Sequence, residues 1–199
     1  MASRLDRFVN ARPSRQWVLH ALRLYPAVTQ TSQAERDALA RHATAKTRLA
    51  EIGVFQGRTT GVLSAVMDPG GVYFAIDPYP GGGRTGIDFN QRIARREVNR
   101  RAAGRVEWVQ ATGAEAPTHP RLQGEQVDFL FIDGDHRYDG LKADWEAWRD
   151  LVAPGGIVGL HDTIGGTFGC QRYMHEVILP DPEFERIEEV DSLTIFQRA

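Results

Sequence analysis

Residues 47–60, Thr-Arg-Leu-Ala-Glu-Ile-Gly-Val-Phe-Gln-Gly-Arg-Thr-Thr, decide the fold. Arg48–Ile52 is a short apolar run that reads as a strand, Gly53 and Gly57 bound a loop, and a helix is predicted over about Thr59–Met67. Strand, glycine-bounded loop and helix make one βα unit, and the pattern repeats downstream. Val72–Ile76 (VYFAI), Val106–Gln110 (VEWVQ), Val127–Ile132 (VDFLFI) and Ile157–Leu160 read as further strands, the last entered through a Pro154-Gly155 turn. Helices are expected over about Phe89–Ala103, Asp139–Leu151 and Phe168–Leu179. Phe184–Val190 and Leu193–Gln197 read as a hairpin around Asp191-Ser192. Five βα units and a terminal hairpin predict an α/β fold with a doubly wound, seven-stranded sheet, mostly parallel with an antiparallel C-terminal strand. The VDFLFI run suits a central strand covered on both faces.

Upstream of this pattern no strand-like run occurs. Trp17, Val18, Ala21, Leu22, Leu24 and Tyr25 have a helical spacing that ends near Pro26, and a second helix is predicted from about Ser32 to Ala45, capped by Thr31 or Ser32. The chain therefore divides into a helical segment, 1–46, and a sheet domain, 47–199. The first of these and the glycine-rich loop Pro78–Ile87 are candidates for an acceptor pocket or a lid.

A chain of 199 residues fits one α/β domain, and its net charge of −2 supplies no global field to recruit nucleic acid or anionic membrane. The single cysteine, Cys170, excludes an intramolecular disulfide framework and a thiolate-rich zinc site. No apolar run approaches membrane-spanning length and the first residues lack an apolar signal region, so a soluble, cytoplasmic protein with no membrane partner is expected.

In doubly wound sheets ligands sit beyond the carboxyl ends of the strands, so chemistry should cluster just after them. The loop after the first strand has the spacing E-x-G-x-x-x-G (Glu51, Gly53, Gly57), not the G-x-G-x-x-G of a pyrophosphate site. Glycines let a ligand approach the backbone, while Glu51 would oppose a pyrophosphate and suit a cationic group. Asp77 closes the second strand, where a carboxylate accepts hydrogen bonds from the ribose hydroxyls of an adenosine. Together these residues describe a nucleoside ligand without pyrophosphate that carries an amino-acid end, which is the shape of S-adenosylmethionine. NAD is disfavoured by the glycine spacing. After the third strand, Thr112 and its small neighbours offer a surface for an adenine face, or Thr112 caps a helix with Glu115; the two readings are compatible.

The fourth strand ends in Asp133-Gly134-Asp135-His136, and the fifth in His161-Asp162. Asp133 and His136 are three apart in a glycine-containing turn and are expected to face one cavity, with Asp135 turned toward the next helix. His136 is a candidate general base. Asp133, His161 and Asp162 converge if the two strands are neighbours. Two readings of them stand: ligands of a divalent cation such as Mg²⁺, or a hydrogen-bonding cluster in which Asp162 caps a turn.

The blocks AEIGVFQGRTT, FAIDPY, VDFLFIDGDHRYDGLKADWEAW and APGGIVGLHDT resemble the class I S-adenosylmethionine-dependent methyltransferases with their Rossmann-like fold. Within them the similarity is greatest to a bacterial branch of macrolide-sugar O-methyltransferases and cephalosporin-hydroxylase-like proteins. The resemblance runs from about Arg48 to the C-terminus. It implies that Glu51, Gly53 and Gly57 line the methionine end of the cofactor and that Asp77 binds the ribose; Thr112 and Asp133, from their places after the third and fourth strands, are the further candidates for the cofactor site. It implies Asp133 as first metal ligand, His136 as the base, and His161 and Asp162 as the remaining ligands, although His161 stands where metal-dependent relatives have an acidic residue. A small hydroxylated acceptor, a role in natural-product biosynthesis and a homodimer are further implications.

Two other functions have their own residues. Arg84, Arg92, Arg95, Arg96, Arg100, Arg101 and Arg105 concentrate around one helix, as a nucleic-acid methyltransferase would use them, yet the acidic balance disfavours that partner. A non-catalytic cofactor-binding protein is disfavoured by the joint presence of Asp77 and His136.

Overall fold

The computed structural model describes residues 12–81, 86–166 and 168–199. The strands are β1 (Arg48–Ile52), β2 (Val72–Ile76), β3 (Arg105–Val109), β4 (Val127–Ile132), β5 (Val152–Leu160), β6 (Phe184–Val190) and β7 (Leu193–Arg198). The helices are α1 (Pro13–Ala21), α2 (Gln33–Ala43), α3 (Arg58–Val66), α4 (Phe89–Val98), α5 (Tyr138–Trp148) and α6 (Gly169–Tyr173), the last running on into a π-helical turn, Met174–Ile178. One sheet has the order β3-β2-β1-β4-β5-β7-β6. β1 to β5 are parallel, β7 is antiparallel to both β5 and β6, and the predicted seven-stranded architecture is what forms.

Strand periodicity builds two apolar layers. Ala50, Ile52, Phe74, Ile76, Leu130 and Ile132 face the core beneath α5 and α6, where Trp145 and Trp148 are buried. Leu49, Tyr73, Ala75, Phe129 and Phe131 face the other way, against Leu39 of α2, Leu63 of α3 and Ala94 of α4. The apolar run of β4 is therefore covered on both faces, as its composition predicts.

The differences from expectation have local causes. β5 starts five residues before Ile157, because Pro154-Gly155-Gly156 extend the strand through an irregularity in the β4–β5 register instead of turning it. The helix expected to reach Ala103 ends at Val98, with Asn99 as its C-cap. Thr112 and Glu115 make their reciprocal capping bonds, but the chain that follows is only a single 3₁₀ turn, Ala116–Thr118. Ser32, not Thr31, caps α2, in a full capping box with Glu35. Residues 1–11 of the N-terminal segment, and residues 82–85 of the glycine-rich loop with Arg84, lie outside the described residues.

A buried amide is one of the ties between the N-terminal segment and the rest of the fold. Gln56 exchanges hydrogen bonds with Gln16 of α1, each at 2.8 Å, accepts from Val28 N at 2.8 Å and donates to Asn90 of α4 at 3.0 Å. Every polar atom of this 1 %-exposed side chain is thereby satisfied, which is what its burial requires.

Candidate active site

The strand order reverses between β1 and β4, and the crevice opens there, beyond the carboxyl ends of β1, β2 and β4. A cavity of about 650 Å³ is lined by Glu51, Gly53, Asp77, Thr112, Asp133 and His136 among others. These are six of the residues expected from sequence. Gly53 has φ +91°, and a Cβ on it would lie 2.0 Å from the Asp133 carbonyl oxygen, so β1 and β4 can close the crevice floor only with glycine here.

Gly57 is not at the cavity wall. It is the N-cap of α3 with φ +71°, and a Cβ would meet the Ala94 backbone at 2.8 Å. It turns the chain into α3 and lets α4 pack close.

Glu51 is 1 % exposed, and its Oε2 accepts from the Tyr73 hydroxyl at 2.8 Å. Burial, with Asp133 and Asp77 adding repulsion against the Tyr73 hydrogen bond, pushes its carboxyl up to about 8. Between the ordinary 4.5 and about 8 the folded protein holds a proton that the unfolded chain has released. Stability should therefore fall as pH rises through that window and level off above it. Glu51→Gln should remove this part of the slope in urea midpoints measured from pH 5 to 8.5; an unchanged slope would contradict the assignment.

Asp77 accepts from Phe55 N at 2.9 Å through Oδ2 and from Tyr79 N at 2.8 Å through Oδ1. Burial raises its pKa against these two bonds. Phe55 and Tyr79 both have positive φ, +50° and +43°, as does Asp162 at +55°. Non-glycine residues in this region cost about 1–3 kcal/mol each and concentrate where a site demands them.

Beside the cavity is a charged cluster. His136, a third exposed, places Nδ1 3.1 Å from Asp162 Oδ2 and packs its ring against Phe168, centroids 5.6 Å apart. His161 is buried, with Nδ1 2.9 Å from Asp133 Oδ1 and 3.6 Å from Asp162 Oδ2. Its Nε2 lies 3.3 Å from Glu35 Oε2 and 3.2 Å from Ser192 Oγ. Burial opposes the charge on His161, but Asp133, Asp162 and Glu35 outweigh it and push the ring up to about 9. Asp133 itself is raised by burial, which the His161 contact partly offsets.

Sequence places Asp133, His161 and Asp162 together, and so does the structure, but as an ion-paired cluster. Asp133 and Asp162 stand beside the His161 Nδ1 and Glu35 beside its Nε2. Among the described residues no group of three His, Cys, Asp or Glu is arranged to hold a metal ion. Asp135 also lines the cavity, and it pairs with Arg137 at the rim instead of capping α5.

Several wall residues were not anticipated. Asp144 of α5 is buried against Gly113, and burial together with Asp135 pushes it up to about 6. The signal was available: Asp144 falls on the apolar stripe of Leu141, Trp145 and Trp148, where a carboxylate needs a reason. Val28, Thr29 and Gln30, from the loop between α1 and α2, close another side, as does Arg58 at the start of α3. Glu35 had no signal beyond its capping box.

Residues 50–163 match the model of a methyltransferase domain family. The chain belongs to this family. Its sheet has the Rossmann-like order shared with solved methyltransferase structures. Among curated proteins it is 28% identical over 127 residues to the uncharacterised protein y4gI of Sinorhizobium fredii, covering 61% of this chain but only 14% of that protein. Among solved structures the O-methyltransferase TomG of Streptomyces achromogenes, in complex with S-adenosylmethionine, superposes with a TM-score of 0.67 at 19% identity over 94% of this chain and 88% of that one. CalS11, a TDP-rhamnose 3'-O-methyltransferase of calicheamicin biosynthesis, gives 0.64 at 17% identity over 99% and 96%. rRNA methylases share the fold as well. Among the described residues no helix is long and apolar enough to cross a membrane.

Proposed function

We propose that this methyltransferase acts on a hydroxyl oxygen of a small polar acceptor, with His136 as general base. The observation that carries the reading is the His136–Asp162 contact at 3.1 Å on the wall of the cavity that also holds Glu51 and Asp77. Asp162 accepting from Nδ1–H fixes the neutral tautomer in which Nε2 carries the lone pair, and Nε2 is then the atom that takes the hydroxyl proton. An amine attacks through a lone pair it already has, whereas a hydroxyl gains from losing its proton, so an oriented base favours an oxygen acceptor.

S-adenosylmethionine supplies an activated methyl group, and the reaction leaves a neutral thioether. The chain's own residues suit that ligand. Asp77 keeps lone pairs for ribose hydroxyls, Glu51 is a buried carboxyl that a cationic amino-acid end would ionise, and Asp144 stands beside Thr112 and Gly113 to accept from an adenine amino group. Gly53 and Asp133 align the reacting end, and the closed crevice floor excludes water. Thr29, Gln30, Asp139 and the Asp135–Arg137 pair give the remaining wall a polar lining that fits a sugar or a hydroxylated natural product. The O-methyl transfer named for TomG and CalS11 supports the same class. The proposal routes no step through a metal.

The test is transfer of labelled methyl to a panel of hydroxylated small molecules, nucleotide sugars and amines. Activity on hydroxyls that persists in metal-free, EDTA-treated protein is expected. Transfer to amines alone would overturn the acceptor assignment, and activity lost with EDTA and restored by Mg²⁺ or Mn²⁺ would return Asp133, His161 and Asp162 to the role of ligands.

A further inference from the structure

On the far side of α4 a second groove, of about 420 Å³, is lined by Trp17, Arg92, Arg95, Arg96, Asn99 and Arg100, and it shares no residue with the cofactor cavity. Arg92 and Arg96 lie one turn apart on α4, and Arg100 follows two residues past its end. Like charges four apart oppose helix formation, and α4 carries the first two nonetheless.

The single carboxylate of α4, Glu97, is turned inward, 4 % exposed, and is held by Arg58 at 3.2 Å, Arg101 at 3.0 Å and His20 at 3.3 Å. Among the described residues no carboxylate lines the groove, and none forms an ion pair with Arg92, Arg95, Arg96 or Arg100. The arginine charge reaches His20: burial lowers its pKa, and Arg100 and Arg96 lower it further against the pull of Glu97.

Two of the arginines are already pinned in place. Arg95 lies over the Trp108 ring, 4.7 Å from its centre, and Arg96 donates to the Ala21 carbonyl at 2.8 Å while its Nε is buried without a partner. Fixed guanidinium groups lose little freedom on binding an anion and match a phosphate with paired N–H donors. The groove is large enough for a phosphate group with a ring beside it, and Trp17 gives it an aromatic wall.

We propose that this α1–α4 groove binds a phosphorylated ligand, one nucleotide unit with its phosphates on Arg92, Arg96 and Arg100 and its base against Trp17. The same chemistry is presented by a free or sugar-linked nucleotide and by a nucleic-acid backbone. The proposal does not depend on the acceptor assigned to the catalytic cavity.

Calorimetric titration of the whole chain, with the cofactor cavity saturated by S-adenosylhomocysteine, tests it with inorganic pyrophosphate, uridine diphosphate and a short single-stranded RNA. Saturable, salt-sensitive binding is expected. Arg92→Ser with Arg100→Ser should weaken it roughly tenfold or more while S-adenosylhomocysteine affinity is retained. Trp17→Ala should weaken uridine diphosphate but not pyrophosphate. RNA bound much more tightly than uridine diphosphate identifies nucleic acid as the source, and equal affinities identify a free nucleotide. The proposal is overturned if none of the three probes binds saturably, or if the double variant binds them as the wild type does.

Discussion

Gly53→Ala is expected to cost more than about 3 kcal/mol of stability and to abolish cofactor binding. Two effects act together. The position has φ +91°, where an L side chain is strained, and the new Cβ would sit 2.0 Å from the Asp133 carbonyl oxygen. Relief would require β1 and β4 to separate at the point where the crevice floor closes. Gly124→Ala isolates the first effect, since Gly124 has φ +79° with nothing within 4 Å of the added atom. That control should cost only about 1–2 kcal/mol. Urea midpoints for the two variants, with S-adenosylhomocysteine titrations beside them, check the pair. Equal midpoints would show that the approach of the two strands is not what demands glycine.

His136→Ala should lower kcat by about 10²–10⁴-fold while leaving S-adenosylhomocysteine affinity unchanged. The separation follows from position. His136 stands at the cavity wall, a third exposed, and its only charged partner among the described residues is Asp162. Removing the ring takes away a proton acceptor without disturbing Glu51, Gly53 or Asp77. Asp162→Asn should cause a smaller loss of kcat, because the ring remains but its tautomer is no longer fixed. Near wild-type turnover in His136→Ala would remove the base from this account and turn attention to Asp133.

How far the sequence reads depends on whether a residue's partners are local. The strands were legible from apolar periodicity and the turns that bound them, and Asp77, Asp133 and His136 from their place just after strand ends. Gly57 was legible as a special backbone position but not as to its purpose, because the Ala94 backbone it admits is 37 residues away in the chain. The same holds for Glu35. Its capping box is a local pattern, but its Oε1 accepts from Ser192 N at 2.9 Å and its Oε2 faces His161, contacts that exist only once the terminal hairpin has docked. His161 shows the limit most clearly. Its place at a strand end is legible, but its contact with Glu35, 126 residues away in the chain, is not. Gln56 and the loop Val28–Gln30 were not legible because residues in connecting loops carry no period that marks what they touch.

The central claim is that one crevice at the β1–β4 reversal holds S-adenosylmethionine between Asp77 and Glu51 and presents its methyl group toward His136. A crystal structure with S-adenosylhomocysteine bound measures this directly. The account predicts ribose hydroxyls on Asp77, the amino-acid end over Gly53 and Glu51, the adenine beside Thr112 and Asp144, and the sulfur facing the Asp133–His136 wall. Product bound elsewhere, or seated with its ribose away from Asp77, would contradict it.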